Sequence, residues 1–277
     1  MPATSASPIA ISAAESALPQ RIRHLKTTHL DRHPDTDRPW LLVLLQASPS
    51  KHIALKKIKD FETVITTARY SLSCGCHFDH PVYSPNPQDP TRHYTKEAQY
   101  HYNLHHLKNA VLWYNSSSDY LLQIIWFGFE LHPPLHSPDD YQKTLNACRW
   151  GNIHNRLKNI PESRPLRDRY HSLQMDSAIR QIRELANSLK HRCLFELEES
   201  PSPRDPTFQI DTNDPTDYIW NSPLLASPVV KYLDLVQALI TTHDLLIDFE
   251  DYLIDLLGFD QLPEVIEYGK THLVSPF

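Results

Sequence analysis

The distribution of proline is the feature of this sequence that most restricts its fold. The 277 residues include 23 prolines but only 5 glycines. Most of the prolines fall in the ranges 1–49, 81–90, 133–138, 161–165 and 201–228. Because proline is expelled from helix interiors, the long proline-free intervals between them are typical of helices joined by stiff loops. The shortage of glycine argues against a sheet-rich fold with many tight turns. We therefore expect an all-α protein.

Apolar residues recur at steps of three and four along these intervals, which is the pattern of helices with one face in a core. The predicted helices cover 49–73, 94–131, 139–160, 166–199 and 227–257. Ser48-Pro49 and Ser137-Pro138 each predict an N-cap followed by proline in the first turn, and Gly75 is a predicted helix end. The sequence thus predicts a helical bundle of four long helices with one or two additional short helices.

The predicted domain organisation follows the composition. Residues 49–277 are expected to form a single helical domain with a proline-rich loop at 200–226. Residues 1–48 are rich in proline, serine and threonine and are predicted to be a partly mobile N-terminal segment, with one short helix near 20–30. The apolar residues 40–46 fit a strand and the start of a buried helix equally well, and a short helix is predicted after Pro263.

The formal net charge of the chain is -6, but the charged residues are distributed unevenly along it. Residues 1–148 carry 14 Lys and Arg against 13 Asp and Glu, residues 149–192 carry 10 against 4, and residues 193–277 carry 3 against 16. A basic middle segment in an acidic chain fits a surface that binds a polyanion, with the acidic tail shielding it or meeting a partner. Two solvated helix faces without a partner are the alternative.

Cysteine content and hydropathy indicate in which cellular compartment the protein is expected. Four cysteines and no recognisable secretory leader favour a reducing, cytoplasmic location. The longest apolar run, at 120–131, contains Gln123 and Glu130 and is too short to cross a bilayer, so we expect no membrane association.

Residues 180–192 concentrate more reactive chemistry than any other stretch. On a helix, at about 100° per residue, this stretch separates into two opposite faces. The apolar face contains Ala178, Ile182, Leu185 and Leu189. The opposite face contains the four residues that we call the basic row: Arg180, Arg183, Asn187 and His191, flanked by Lys190 and Glu184.

The side chains of the basic row suit work on a phosphate. Arg180 and Arg183 are predicted to bind phosphate, because guanidinium groups pair with phosphate oxygens. His191 is the predicted general acid or base, and Asn187 orients the imidazole or the substrate. A solvent-facing amphipathic helix with no chemistry is the alternative.

Two segments resemble the HEPN superfamily of small helical bundles. Residues 187–192, Asn-Ser-Leu-Lys-His-Arg, follow Arg183 late in a predicted helix, and residues 113–123 are similar to a clostridial-type, largely uncharacterised branch of that superfamily. The helix layout extends the similarity over about 94–257. The resemblance implies metal-independent RNA cleavage by a homodimer whose two subunits both supply residues to one cleft. It also implies a role in toxin–antitoxin or phage-defence systems, with an antitoxin or regulatory protein as a further partner.

The sequence departs from the active motif of that superfamily, which is an arginine followed after four to six residues by a histidine. Seven residues separate Arg183 from His191, whereas four separate Arg149 from His154. Positions five apart lie about 140° apart on a regular helix, so Arg149 and His154 face one cleft only where the helix is distorted. Gly151 offers a place for such a distortion. We rank the basic row first and the Arg149–His154 pair second.

Three further clusters carry polar or metal-ligating side chains. Asn115 and Asp119 share a face within a polar interruption of the predicted long helix and could line a site or bond to a neighbouring helix. The segment 74–77, Cys-Gly-Cys-His, with His80 nearby, supplies zinc ligands from one loop without the second pair that a structural site needs. His101, His105 and His106 lack the glutamate of a metalloprotease motif. We expect neither a metal nor a cofactor.

Two functions therefore remain open from sequence. The first is a metal-independent endoribonuclease, and the second is a catalytically inactive all-α binding or regulatory protein. The predicted catalytic residues are Arg183, Asn187, His191, Arg149 and His154. The predicted substrate-binding residues are Arg180, Lys190, Arg192, Asn115 and Asp119.

Overall fold

A computed structural model describes residues 13–28, 48–76, 92–191, 194–199 and 228–259. This part of the chain contains eight α-helices, one 3-10 turn and one pair of two-residue strands, which confirms the all-α prediction. The helices are α1 (Ala13–Arg23), α2 (Pro49–Gly75), α3 (Arg92–Gly128), α4 (Pro138–Ala147), α5 (Trp150–Leu157), α6 (Arg164–Met175), α7 (Ser177–His191) and α8 (Tyr232–Leu257). The 3-10 turn is Pro161–Ser163, and the strands are β1 (Glu196–Leu197) and β2 (Val229–Val230).

Helices α2 and α3 form the largest contact in the described structure. Their apolar faces meet along most of the length of α2, and both faces are nearly inaccessible to solvent. At the end of α2 the backbone of Gly75 approaches α3 so closely that a Cβ atom there would lie 2.8 Å from the side chain of Leu107. Glycine is therefore required at that position by the close approach of the two helices.

The predicted start of α2 is confirmed. Ser48 has an extended backbone, and its hydroxyl accepts a hydrogen bond from the backbone N–H of Lys51 at 3.3 Å. The same hydroxyl donates to the carboxylate of Glu130, just beyond the end of α3. Ser48 thus satisfies an otherwise unpaired N–H group at the start of α2 and joins this start to the far end of α3.

Helix α8 is almost completely buried on the face that packs against α2, α3 and α7. Its first N–H group, that of Tyr232, donates to both carboxylate oxygens of Glu199, at 3.2 and 3.1 Å, which places negative charge at the positive end of the helix. Its last turn is closed by Gly258, which has a left-handed backbone with φ 71°. Strand β2, which comes just before α8 in the chain, pairs in parallel with β1. Glu196 pairs with Val229, and Leu197 pairs with Val230.

Two of the predicted helices are broken. The helix predicted over 139–160 ends at Ala147 and restarts at Trp150, because Cys148 and Arg149 leave the helical conformation. The side-chain amide of Asn152 donates to the carbonyl of Ala147 at 2.8 Å, so this amide takes over one of the bonds that the broken helix loses.

The helix predicted over 166–199 is two helices, α6 and α7. Asp176 between them has an extended backbone, and its carboxylate accepts from the N–H of Ala178 at 2.8 Å, which makes it the N-cap of α7. The prediction was also wrong at the other end, because α7 stops at His191 and residues 196–197 form a strand. The helix predicted near 20–30 lies at Ala13–Arg23 instead.

Several predictions fall outside the described residues. They are the segment 40–46, the whole of the loop at 200–226 and the short helix after Pro263. In the part of the chain that is described, no helix combines the length and apolar character needed to cross a membrane.

A buried histidine ties the segment after α1 to the core. His243 on α8 is 1% exposed, and its Nδ1 accepts a hydrogen bond from the hydroxyl of the fully buried Tyr114 at 3.1 Å. Its Nε2 donates to the backbone carbonyl of Lys26 at 2.8 Å. In a neutral ring the Nε2 proton serves the carbonyl of Lys26, and Nδ1 is then left to accept from Tyr114. Burial lowers the pKa of His243 and favours the same neutral form, although the carbonyl of Lys26 opposes this.

The Tyr114 hydroxyl should contribute measurably to stability. We expect Tyr114→Phe to lower the free energy of unfolding by about 1–3 kcal/mol, because a buried acceptor on His243 loses its donor. Urea denaturation at pH 7 measures the change. Tyr120→Phe, which alters a half-buried tyrosine on the same helix, is the matched control. An equal effect of the two substitutions would contradict the role of the bond.

Lowering the pH should reduce the contribution of His243 to the free energy of unfolding. Because the pKa of His243 in the folded protein is below the ordinary histidine value of about 6.5, the unfolded chain takes up a proton that the folded chain does not bind. Stability is therefore lost as the pH falls below 6.5, by up to about 1.4 kcal/mol per pH unit from this residue. We expect the stability difference between wild type and His243→Gln to shrink between pH 7.5 and pH 5 in urea titrations. A constant difference would contradict this linkage.

Candidate functional site

Helix α7 presents the basic row on the side away from the core. Its apolar face packs against α3 and α8, and Ala178, Ile182 and Leu185 are buried, as predicted, with Leu189 partly buried. The exposed residues on the other side include Arg180, Asn187, Lys190 and His191. Burial of one face therefore fixes the direction in which the polar residues point.

Arg183 is the member of the basic row that the fold engages. Arg183 is partly buried. Its guanidinium donates one hydrogen bond to the side-chain oxygen of Gln174 and another, of 3.5 Å, to the backbone carbonyl of Gln174. Gln174 lies at the end of α6, so Arg183 reaches toward the α6–α7 junction. The same guanidinium acts on Tyr170, where burial raises the pKa of the phenol and Arg183 opposes the rise.

His191 lies at the opposite end of α7. It lies eight positions after Arg183, which corresponds to about 12 Å of helix rise. The imidazole is exposed, and the guanidinium of Arg183 is held at Gln174. Asn187 lies one turn from each of them. Within one chain the structure does not bring Arg183 and His191 together, and the basic row is an extended surface instead of a compact cluster.

Asp119 on α3 joins this surface from the neighbouring helix. Asp119 as a whole is exposed, but partial burial of its carboxyl group raises the pKa of that group. Lys190 on α7 opposes this rise. Two predicted substrate-binding residues, Asp119 and Lys190, therefore lie near each other across two helices. Asn115, one turn earlier on α3, is partly buried.

Two serines between Asn115 and Asp119 on α3 form hydrogen bonds with the backbone of the same helix. Ser116 donates to the carbonyl of Leu112 at 2.9 Å, and Ser117 donates to the carbonyl of Trp113 at 2.9 Å. Hydrogen bonds of this kind, to the carbonyl four residues back, satisfy serine hydroxyls inside a helix. Ser117 can consequently lie fully buried in α3.

The second predicted pair, Arg149 and His154, is separated by the start of α5. Arg149 is exposed and occupies the N-cap position with an extended backbone, so the chain is distorted before Gly151 and not at it. His154 is partly buried and its ring lies 5.3 Å from that of Trp150, centroid to centroid.

The charges around His154 come from α6 and from the end of α5. Burial lowers the pKa of His154, and Lys158, Arg167 and His171 lower it further, so the imidazole favours its neutral form. Arg149 is not among the groups that act on it.

Metal ligands do not cluster in the described ranges, where no group of three or more His, Cys, Asp and Glu could hold an ion. Cys74 and Cys76 are free thiols at the end of α2, and burial raises the pKa of Cys76 to about 12. His105 contacts Asn109 at 3.1 Å on the outer face of α3. His77, His80 and Arg192 lie outside the described residues.

The structure adds residues that sequence reasoning missed. Tyr170, Gln174 and Cys148 surround Arg183 and Asp119. Tyr170 and Gln174 are four residues apart and therefore lie on one face of α6. The turn at Asp176 brings this face of α6 next to α7. The Asp-Ser pair at 176–177 is an N-cap signal from which this turn was predictable.

Comparisons of the chain with protein-family models, with curated proteins and with solved structures find no match. The candidate site therefore rests on the geometry of its own residues.

Cys148 should be unreactive despite its place beside Asp119 and Tyr170. Burial raises the pKa of its thiol to about 12, with Asp119 raising it and Lys57 lowering it. Relative to an ordinary cysteine, the thiolate fraction at pH 8 should fall by a factor on the order of 10³. Iodoacetamide labelling followed by peptide mass spectrometry measures the rate, with urea-unfolded protein as the control. Equal rates in the two states would show that Cys148 is a reactive thiol.

Proposed function

We propose that the protein binds RNA along the exposed side of α7 and cleaves it without a metal ion. The observation that carries the proposal is the exposed set Arg180, Asn187, Lys190 and His191 on a helix whose opposite face is locked in the core. Burial of the opposite face fixes the backbone of this helix, so its cationic side chains stay arranged along one exposed side, where they can pair with a phosphate backbone. The resemblance of residues 113–123 and 187–192 to the HEPN superfamily supports the same function.

The proposed reaction is an internal transfer at phosphorus. The imidazole of His191 removes the proton of a ribose 2′-hydroxyl, the 2′-oxygen attacks the adjacent phosphorus, and the bond to the 5′-oxygen breaks. The leaving oxygen takes up a proton from the histidine or from water. Lys190 neutralises the charge that develops on the phosphate oxygens, and Arg180, farther along α7, binds another phosphate of the same strand.

A homodimer would complete this site. Arg183 lies about 12 Å of helix rise away from His191 and is bonded to Gln174, so one chain offers few groups beside the imidazole. In a two-fold dimer, the same surface of a second copy supplies the missing groups. The proposal therefore includes a homodimer, set in a toxin–antitoxin or phage-defence system in the cytoplasm, with an antitoxin or regulatory protein as a further partner.

The alternative function is RNA binding without cleavage. Two observations favour it: the guanidinium of Arg183 is occupied by Gln174, and His154, the other histidine considered as catalytic, lies among Lys158 and Arg167 with its pKa lowered. A protein of this kind would retain the cationic surface and serve as a binding or regulatory subunit.

The role of His191 has a direct test. We expect purified protein to cleave single-stranded RNA in the presence of EDTA, and His191→Ala to reduce the rate by at least about 100-fold, the usual contribution of a general acid or base. His24→Ala, which removes an exposed histidine just after α1, should keep the full rate. Full activity of His191→Ala would remove His191 from the mechanism, and binding without cleavage by the wild type would favour the alternative function.

Salt dependence tests the binding surface separately from catalysis. We expect the affinity for a fluorescent single-stranded RNA to fall with salt, and Arg180→Gln and Lys190→Gln each to reduce the slope of log affinity against log salt by about 0.7–1. Arg164→Gln is the matched control, because Arg164 is paired with Asp168 at 3.6 Å on α6. A slope that both α7 substitutions leave unchanged would place RNA binding elsewhere on the molecule.

A further inference from the structure

A cavity of about 430 Å³ lies where the end of α3 meets α4 and α5. Residues from these three helices and from the α3–α4 connection line it: Trp126, Pro133, Lys143, Thr144, Ala147, Asn152, Asn155 and Arg156. No residue of α7 is among them, so the cavity is separate from the basic row. Its volume falls in the range of small-molecule sites in proteins, roughly 300–1,000 Å³.

The break between α4 and α5 creates this cavity. A single helix over 139–160, as predicted from sequence, would not turn Asn152 and Arg156 toward the same space as Lys143. The side chain of Asn152 is fixed by its bond to the carbonyl of Ala147. On α5, Asn152 and Arg156 are one turn apart on one side, and His154 points to a different side.

The lining has two cations and no carboxylate. Lys143 on α4 and Arg156 on α5 are exposed and border the cavity from two helices. The nearest acidic group along α4 is that of Asp140, which accepts a hydrogen bond from the backbone N–H of His136 at 3.2 Å. Lys143 acts on Asp140 as one of several groups that lower its pKa. Two cations from different helices with no acidic group between them favour a ligand of negative charge.

Trp126 adds an independent observation. It is 1% exposed, and its indole Nε1 has no hydrogen-bond partner in the described part of the chain. Native proteins pair most buried N–H groups, so this donor lacks an acceptor that a ligand could supply. The guanidinium of Arg156 lies 5.3 Å from the centre of the indole ring and covers it. Because Arg156 is exposed, a shift of its side chain toward a ligand would uncover the indole.

We propose that this cavity binds a small organic phosphate monoester. The phosphate group, which carries a charge of about -1.5 to -2 at pH 7, lies between Lys143 and Arg156 and matches their two positive charges. The organic part lies on the apolar surface of Pro133 and Ala147. The amides of Asn152 and Asn155 and the indole N–H of Trp126 supply polar contacts that orient the ligand.

Calorimetric titration with phenyl phosphate, inorganic phosphate and phenol tests the proposal. We expect phenyl phosphate to bind more tightly than either other compound, because it alone presents both the anion and the apolar group. Arg156→Gln and Lys143→Gln should each weaken its binding at least 10-fold. Arg164→Gln, an arginine on α6 outside the cavity, should change it less than 2-fold.

A second measurement follows the indole directly. The Trp126 indole N–H resonance is identified by its loss in the nitrogen–proton spectrum of Trp126→Phe, and we expect it to shift when phenyl phosphate is added to the wild-type protein. Failure of phenyl phosphate to bind at millimolar concentration would overturn the proposal. So would equally tight binding of phenol or of inorganic phosphate, unchanged binding by Arg156→Gln and Lys143→Gln, or an unmoved indole resonance.

Discussion

The burial of α3 is the constraint on which the rest of the described structure depends. Helices α2, α5, α7 and α8 all pack against it, and its core-facing residues from Leu107 to Phe127 are almost inaccessible to solvent. A helix enclosed by four neighbours needs internal partners for its polar groups. The hydroxyls of Ser116 and Ser117 and the bond between Tyr114 and His243 supply such partners, and the indole N–H of Trp126 is the exception described above. Its packing also decides which side of each neighbour faces solvent.

That arrangement explains why the polar chemistry of α7 lies outside. Ile182 and Leu185 are held between α3 and α8, so the residues half a turn away are directed to solvent. The exposed cations of α7 and the carboxyl group of Asp119 then form one surface from two helices. Arg183 is different because the turn at Asp176 brings Gln174 within its reach. One residue of the basic row thus supports the α6–α7 junction, while the others stay accessible.

Much of the fold was predictable because its signals are local. The N-caps at Ser48 and Ser137 depend on residues within a few positions, and both occur in the structure. The breaks at Cys148 and Asp176 were missed because the apolar residues on each side of a break were read as one continuous helical period. In the structure, the buried residues of α6 and those of α7 would lie on nearly opposite sides of a single helix, so one straight helix could not bury both sets.

The sites were harder to predict than the fold, for a geometric reason. The exposed face of α7 follows from the spacing of its own residues, and the structure shows it as exposed. The neighbourhood of Tyr170, Gln174 and Arg183 needs the angle between α6 and α7, and the cavity beside Trp126 needs the angle between α4 and α5. Each angle is set by contacts between residues distant in the chain, which a single sequence does not specify.

The two short strands have a consequence for the chain between them. The parallel pairing of Glu196–Leu197 with Val229–Val230 holds the two strands that flank the interval 200–227 about 4.8 Å apart. An interval clamped at its base behaves as a closed loop, whose entropic cost rises by only about 0.6 kcal/mol for each doubling of its length. Insertions there, such as a peptide tag, should therefore leave the helical framework intact.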